Sequence, residues 1–101
     1  MDKGTEFIMG LIVNGGNARS LAMKAIFAAK KGNFQESDNL IRQANACLLK
    51  AHKSQTELLT KEASGDKTEF SLLLIHAQDH LMNAITVKDL ANEIIDLYKN
   101  K

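Results

Sequence analysis

The chain has 101 residues, of which 45% are hydrophobic, so it is expected to form one small domain over residues 1–101. A formal net charge of +1, with one Tyr, four Phe and no Trp, argues against the basic, aromatic surface typical of nucleic-acid binding. The single cysteine excludes an intramolecular disulfide and is typical of a reducing compartment. No apolar stretch approaches the ~20 residues that a membrane span needs. We therefore expect a cytoplasmic domain that neither binds nucleic acid nor inserts into a membrane, with a flexible segment at residues 1–5.

The first predicted helix runs from about Thr5 to Lys31. The sequence contains no proline, and this absence favours long helices without interruption. Lys30, Lys31 and Gly32 are typical of a helix C-terminus, where cations occupy the last turn and glycine follows. Apolar residues recur at helical spacing, at Ile8, Leu11, Ile12, Leu21, Ala22, Ala25, Ile26 and Ala29.

Within this segment, Asn14-Gly15-Gly16-Asn17 by itself is typical of a turn, which would divide the segment into two short helices. We favour one continuous helix, because the apolar period resumes after residue 17. Each glycine inside a helix costs up to ~1 kcal/mol relative to alanine. Close approach of another backbone would explain why glycine stands here.

Asn33, followed by Glu36, predicts a capping box at the start of the second helix. This helix is expected to end near residues 63–65. Its core-facing spacing comprises Ile41, Ala44, Leu48, Ala51, Gln55 and Leu58.

The third predicted helix runs from about Lys67 to Lys99, with a second capping box at Asp66 and Glu69. Helices of ~28 residues are each ~40 Å long. Short loops make neighbouring helices antiparallel, so the predicted fold is all-α, an antiparallel three-helix up-down-up bundle.

The third helix carries two apolar stripes. The first, which we expect to face the other two helices, consists of Phe70, Leu74, Ala77, Leu81, Ala84, Ala91 and Ile95. The second stripe consists of Leu72, Ile75, Met82, Leu90 and Leu97. A monomeric three-helix bundle needs one apolar face on each helix, so the second stripe predicts burial against another subunit.

His76, Asp79 and His80 follow the apolar run at residues 72–75 and occupy positions i, i+3 and i+4. They therefore project from one surface of the helix. Polar groups in an apolar stretch are costly unless they are paired. Three interpretations are open: a metal site, a histidine that carries a covalent group, and structural histidines at the rim of the core. A zinc peptidase would have glutamate directly after the first histidine, and Ala77 stands there instead.

Asp79 falls in the middle of the second stripe, where a carboxylate must be paired, metal-bound or protonated if it is buried. One interpretation places it close to the axis of an oligomer, where copies of the carboxylate converge on a hard cation. The other places it in solvent at the edge of the interface. The spacing alone leaves both open.

Residues 73–82, which contain His76-Ala77-Gln78-Asp79-His80, resemble the signature of the lactose/cellobiose class of enzyme IIA. These proteins are sugar-specific phosphocarriers of the bacterial phosphoenolpyruvate-dependent phosphotransferase system. Residues 9–13 and 16–22 resemble the first helix of that family, and Ala51-His52 with Gln55-Thr56 resembles the second. The resemblance covers residues 6 to 99.

The resemblance implies a three-helix bundle that assembles as a homotrimer. It implies that His76 is the catalytic residue, which accepts a phosphoryl group from the phosphohistidine of HPr and passes it to a cysteine of the cognate enzyme IIB. Asp79 matches an aspartate at the trimer axis, where three copies bind one Mg²⁺. His80, one turn after His76, is the candidate to orient the phosphoryl group, and Gly15-Gly16 would allow close packing near the active histidine.

Without the resemblance, a second function is compatible with the same residues. The chain would be a non-catalytic helical oligomerisation module with a structural metal site at His76, Asp79 and His80.

Overall fold

The computed structural model describes residues 3–67 and 69–101. Three α-helices follow one another there: α1 (Lys3–Lys30), α2 (Phe34–Ala63) and α3 (Leu72–Lys99). α1 packs extensively against both other helices, whereas α2 and α3 make fewer contacts with each other. The result is an elongated all-α, up-down-up bundle of 52 × 22 × 20 Å, as predicted. None of the helices in the described ranges is long and apolar enough to cross a membrane.

α1 is one continuous helix through residues 14–17, so the prediction of an uninterrupted first helix is confirmed. Residues 3–5, which we expected to be flexible, lie in its first turn, and residues 1 and 2 fall outside the described ranges. Five of the predicted core positions are buried: Ile8, Leu11, Ala22, Ala25 and Ala29. Gly15 and Ala18 are buried on the same face, so α1 presents mostly small residues to its neighbours.

The end of α1 is fixed by Gly32, whose φ of +82° is unfavourable for residues with a Cβ atom. The N–H of Gly32 donates to the carbonyl of Ala29 at 2.9 Å, and the N–H of Asn33 donates to the carbonyl of Ala28 at 2.9 Å. These two bonds form a Schellman motif, which satisfies carbonyls at the helix end. Asn33 occupies the N-cap position of α2, but its side chain makes no capping bond. The predicted capping box is therefore right in position and wrong in its hydrogen bond.

α2 ends with the same motif at Gly65, which has a φ of +96°. The N–H of Gly65 donates to Glu62 and that of Asp66 to Lys61, both at 3.1 Å. Asp66 thus closes α2, and its carboxylate lies 3.8 Å from the amino group of Lys61. The prediction that Asp66 begins the third helix is wrong for this reason.

α3 begins five residues later than the predicted start at Lys67, at Leu72. The N-cap is Ser71, which has an extended backbone and whose hydroxyl accepts a hydrogen bond from the N–H of Leu74 at 3.1 Å. Phe70, assigned from the sequence to the core-facing stripe, precedes the helix and is 85% exposed. A residue outside the helix does not share its periodicity, so the helical wheel could not place Phe70.

The core-facing stripe of α3 is otherwise confirmed, and burial of the second stripe against another subunit stays a prediction. The core-facing stripe is buried at Leu74, Ala77, Leu81, Ala84, Ala91 and Ile95. The second stripe is exposed in the single chain, with fractions from 55% at Met82 to 83% at Leu72. We call these five residues, Leu72, Ile75, Met82, Leu90 and Leu97, the outer stripe.

The position of the N-cap gives the first testable prediction. Replacing Ser71 with Ala removes the oxygen that accepts the Leu74 N–H, and we expect this to lower the free energy of unfolding by about 1 kcal/mol. Replacing Asp66 with Ala is the matched control, with an expected change within about 0.5 kcal/mol. Urea denaturation at a fixed protein concentration measures both. If Asp66→Ala lowers the free energy of unfolding more than Ser71→Ala does, Asp66 caps α3, as the sequence predicts, and Ser71 does not.

Candidate functional site

His76 and His80 form a directly bonded pair on α3. Their Nε2 atoms lie 3.0 Å apart, and the rings meet edge to face with centroids 4.5 Å apart and an interplanar angle of 76°. One turn of helix separates the two residues, which is the spacing that brings side chains into contact. We call these two side chains the imidazole pair.

The hydrogen bond in the imidazole pair requires the two rings to take complementary donor and acceptor roles. A neutral imidazole has one N–H and one unprotonated nitrogen, so when both rings are neutral one Nε2 donates and the other accepts. The bond also restrains both rings. His76 is exposed and His80 is half-buried, so the pair is held at the bundle surface with His76 outermost.

Asp79 lies beside the imidazole pair and points to a different partner. Its Oδ1 accepts a hydrogen bond from the side-chain amide of Asn83 at 3.0 Å. Asp79 is exposed in the single chain, between residues of the outer stripe. An oxygen donor at this place suits a hard cation such as Mg²⁺, although one chain supplies a single carboxylate there.

A cleft of about 400 Å³ opens next to the pair. Its walls include Arg19 of α1 and, from α3, Asp79, His80, Asn83 and Val87. A guanidinium, an imidazole and an amide are all donors that can hydrogen-bond phosphoryl oxygens.

Two glycines of α1 lie against His80. A Cβ atom added to Gly15 would lie 3.2 Å from both the carbonyl carbon and the carbonyl oxygen of His80. A Cβ atom added to Gly16 would lie 3.9 Å from Nδ1 of His80, which is ordinary contact. Gly15 therefore allows close packing of the backbones at His80, one turn from His76, whereas Gly16 leaves room for a side chain, so the expectation holds for Gly15 and not for Gly16.

Gln78 lies within the same motif as His76 and His80, but its side chain faces α2. Its Oε1 accepts a hydrogen bond from Nε2 of Gln55 at 2.8 Å, across the partly buried junction of α2 and α3. A groove of about 280 Å³ lies at this junction, lined mainly by apolar side chains that include Leu59, Phe70 and Ile75. Gln78 thus fixes α3 to α2 and stands apart from the imidazole pair.

Sequence reasoning missed Arg19 and Asn83 as neighbours of the predicted site residues. Asn83 is four residues after Asp79 on the same helix, so the spacing rule could have found it. Arg19 is on a different helix, and no signal in the sequence pairs it with His80.

A metal site contained in one chain finds no support in this geometry. Across residues 3–67 and 69–101, no three His, Cys, Asp or Glu side chains are grouped so that they could hold an ion. His76 and His80 bond to each other, while Asp79 bonds to Asn83. The structural metal site of the second interpretation would therefore need ligands from more than one chain.

The model of the family described as "PTS system, Lactose/Cellobiose specific IIA subunit" matches residues 6–99. The chain belongs to this family. A lichenan-specific phosphotransferase enzyme IIA component of Bacillus subtilis is 55% identical over 94 residues, which cover 93% of this chain and 86% of that protein. The family assignment agrees with the resemblance in residues 73–82, and the chain is accordingly a phosphotransferase component of a sugar phosphotransferase system.

Two solved structures share the fold closely. The cellobiose-specific enzyme IIA of Bacillus anthracis superposes with a TM-score of 0.95 at 55% identity, covering 99% of this chain and 92% of that one. The chitobiose enzyme IIA in complex with HPr, from Escherichia coli, superposes with a TM-score of 0.84 at 39% identity, covering 99% and 97%. The three relatives are named for three different sugars.

Proposed function

We propose that this chain is the phosphocarrier that accepts a phosphoryl group on His76 from phospho-HPr and passes it to a cysteine of its cognate enzyme IIB. The observation that carries the proposal is the imidazole pair, in which exposed His76 is held by a 3.0 Å bond to His80 at the surface of a family member. A solved relative in complex with HPr supports HPr as the donor. The site of action of such a carrier is the cytoplasm.

The transfer needs one unprotonated ring nitrogen on His76. That nitrogen attacks the phosphorus of the donor's phosphohistidine, a new N–P bond forms, and the donor's N–P bond breaks in line with it. In the second step the cysteine sulfur of enzyme IIB attacks the same phosphorus, an S–P bond forms, and the His76 N–P bond breaks. Positioning and charge stabilisation supply most of the catalysis in such transfers.

His80 is the residue that we propose to orient the phosphoryl group. Its ring already contacts His76, and its half-buried position restricts its movement. Once His76 carries a phosphoryl group, an N–H of His80 can donate to a phosphoryl oxygen. His80 also faces the cleft that Arg19 lines, so charge on the phosphoryl oxygens lies beside two groups that can donate.

Both partners must reach His76 by the same exposed surface. Leu73 lies outside the outer stripe, is 42% exposed and is three residues before His76, so it is on the same side of α3 as His76. An exposed apolar side chain beside the accepting residue is available for contact with a partner. Transient complexes of a carrier with its donor and acceptor are expected to use small interfaces.

The assignment of His76 gives a direct test. Replacing His76 with Ala is expected to abolish phosphorylation by phosphoenolpyruvate, enzyme I and HPr, because the accepting nitrogen is removed, while helicity by circular dichroism is unchanged. His80→Ala is the matched control and is expected to be phosphorylated at a reduced rate. Intact-protein mass spectrometry measures the added phosphoryl group. If His76→Ala takes up phosphate and His80→Ala does not, the accepting residue is His80.

We further propose that the chain acts as a homotrimer in which the outer stripe is buried. This stripe extends over 26 residues of α3, or ~39 Å, and exposed apolar side chains that recur along one helix face mark an interaction surface. A bundle of 101 residues also has a small core, which burial between subunits would enlarge.

The outer stripe predicts how the trimer can be dissociated. Replacing Leu90 with Lys places a charge in the proposed interface and is expected to give monomers at micromolar concentration. Leu49 of α2 is also exposed, at 72%, but lies outside the stripe. Leu49→Lys is therefore the matched control and should remain trimeric. Sedimentation equilibrium distinguishes the two, and a monomeric wild-type protein would contradict the assembly.

In this trimer, Asp79 would approach the axis and be the ligand that each subunit offers to one Mg²⁺. Three carboxylates that meet in a partly dehydrated interface repel one another. A divalent cation with oxygen ligands offsets that repulsion. The apolar neighbours on the outer stripe also suit an uncharged side chain at this position.

We therefore expect Asp79→Leu to remain trimeric and to be at least as stable thermally, while losing the bound ion. Replacing a buried ionic group with a packed apolar one is often neutral or stabilising by ~1–4 kcal/mol. Asp96→Leu, an exposed carboxylate elsewhere on α3, is the control and should retain the ion. Calorimetric titration with Mg²⁺ and thermal denaturation measure the effects. Dissociation of Asp79→Leu into monomers would show instead that the carboxylate and its ion hold the trimer together.

A further inference from the structure

α1 approaches α3 closely at Gly15. This residue is buried, and the backbone of His80 lies where its side chain would be. A Cβ atom would meet the His80 carbonyl at 3.2 Å and the amide nitrogen of Leu81 at 3.4 Å. These atoms belong to the backbone of α3, so no rotation of a side chain can relieve the contact.

The packing on either side leaves α3 little room to move at this level. The neighbouring buried positions of α1 are Leu11 and Ala18, and those of α3 are Ala77 and Leu81, all at 0% exposure. A fully buried, closely packed contact between two helices transmits a displacement because the interior has few voids. Any Cβ at residue 15 would therefore push α3 outward by a few tenths of an ångström at His80.

His80 is also the residue whose ring positions His76. Its backbone touches α1 at Gly15, and its Nε2 lies 3.0 Å from Nε2 of His76. The position of the His80 backbone therefore sets the geometry of the imidazole pair. We infer that Gly15 is a positioning residue for phosphoryl transfer, which acts through His80 by letting the backbones of α1 and α3 meet. This inference rests on the proposed function.

Gly16 and Gly10 provide matched controls on the same helix. Each glycine-to-alanine change raises helix propensity equally, by up to ~1 kcal/mol. A Cβ at residue 16 meets Nδ1 of His80 at 3.9 Å, which needs no displacement. A Cβ at residue 10 meets Oγ of Ser54 at 3.3 Å, a close contact with a side chain of α2 and not with α3. Gly16→Ala thus reports the effect of helix propensity alone, and Gly10→Ala adds a close contact away from His80. Gly15→Ala adds a close contact with the backbone of His80.

The first measurement is the rate of phosphorylation by phospho-HPr. We expect Gly15→Ala to lower kcat about tenfold with little change in KM, since small misplacements of reacting groups strongly reduce rates. Gly16→Ala and Gly10→Ala are expected to stay within about twofold of the wild type. Equal rates in Gly15→Ala and Gly16→Ala would overturn the inference.

The second measurement does not depend on activity. Two-bond ¹H–¹⁵N correlation spectra of the unphosphorylated protein report the tautomers and hydrogen bonding of the His76 and His80 rings. We expect Gly15→Ala to shift both sets of ring resonances, and Gly10→Ala to leave them unchanged. Unchanged ring resonances in a folded Gly15→Ala protein would contradict the positioning role. A wild-type protein that accepts no phosphoryl group would instead refute the proposed function, while this measurement would still test the geometry.

A double-mutant cycle tests the route of the effect. If Gly15 acts through His80, the loss caused by Gly15→Ala should fall from about tenfold to under about twofold in the His80→Ala background, because coupled residues are not additive. An equal loss in both backgrounds would show that Gly15 acts by another route.

Discussion

The close approach of two helix backbones at Gly15 is the constraint on which the arrangement of this bundle most depends. α1 contacts both other helices, and it does so with a face of glycine and alanine that brings the backbones together. Small residues bury little apolar area each, so the cohesion of this interface comes from dense packing over a long helix. Leu11 and Leu81 are the largest fully buried side chains among the described residues, and both belong to the core cluster that contains Ala18 and Ala77. His80 is therefore held at a closely packed part of the bundle.

α3 is a regular helix whose surface has three distinct parts. Its buried stripe packs on α1 and α2, its outer stripe is free in the single chain, and the imidazole pair lies between them. Regular helical spacing is sufficient for this because residues four apart meet on one face. The histidines are held by a helix whose buried stripe is fixed by packing. The transfer that we propose, in which one nitrogen serves two partners, would benefit from such a rigid support.

The C-terminal ends of α1 and α2 are each followed by a residue that the sequence predicts to be the N-cap of the next helix. Asn33 and Asp66 are both of residue types that are favoured at the N-cap. Each follows a glycine with positive φ, and each donates its own backbone N–H to the preceding helix. At Asn33 the next helix follows at once, so the predicted boundary holds. At Asp66 it does not, because Ser71 supplies a capping hydroxyl five residues later and α3 begins directly after it.

The sequence by itself determined the number of helices, their order and the buried faces, because these follow from local spacing and from glycines at helix ends. It also determined that His76, Asp79 and His80 share one surface of α3, since that is a property of a single helix. Only the tertiary structure decided which groups from other helices join them. Arg19 lines the cleft beside His80, and Gln55 holds Gln78, because the relative shift of two helices depends on side-chain packing along their whole length. The role of Gly15 is of the same kind. The sequence shows that residue 15 is a glycine within a helix. Only the packed bundle shows that the backbone of His80 contacts it.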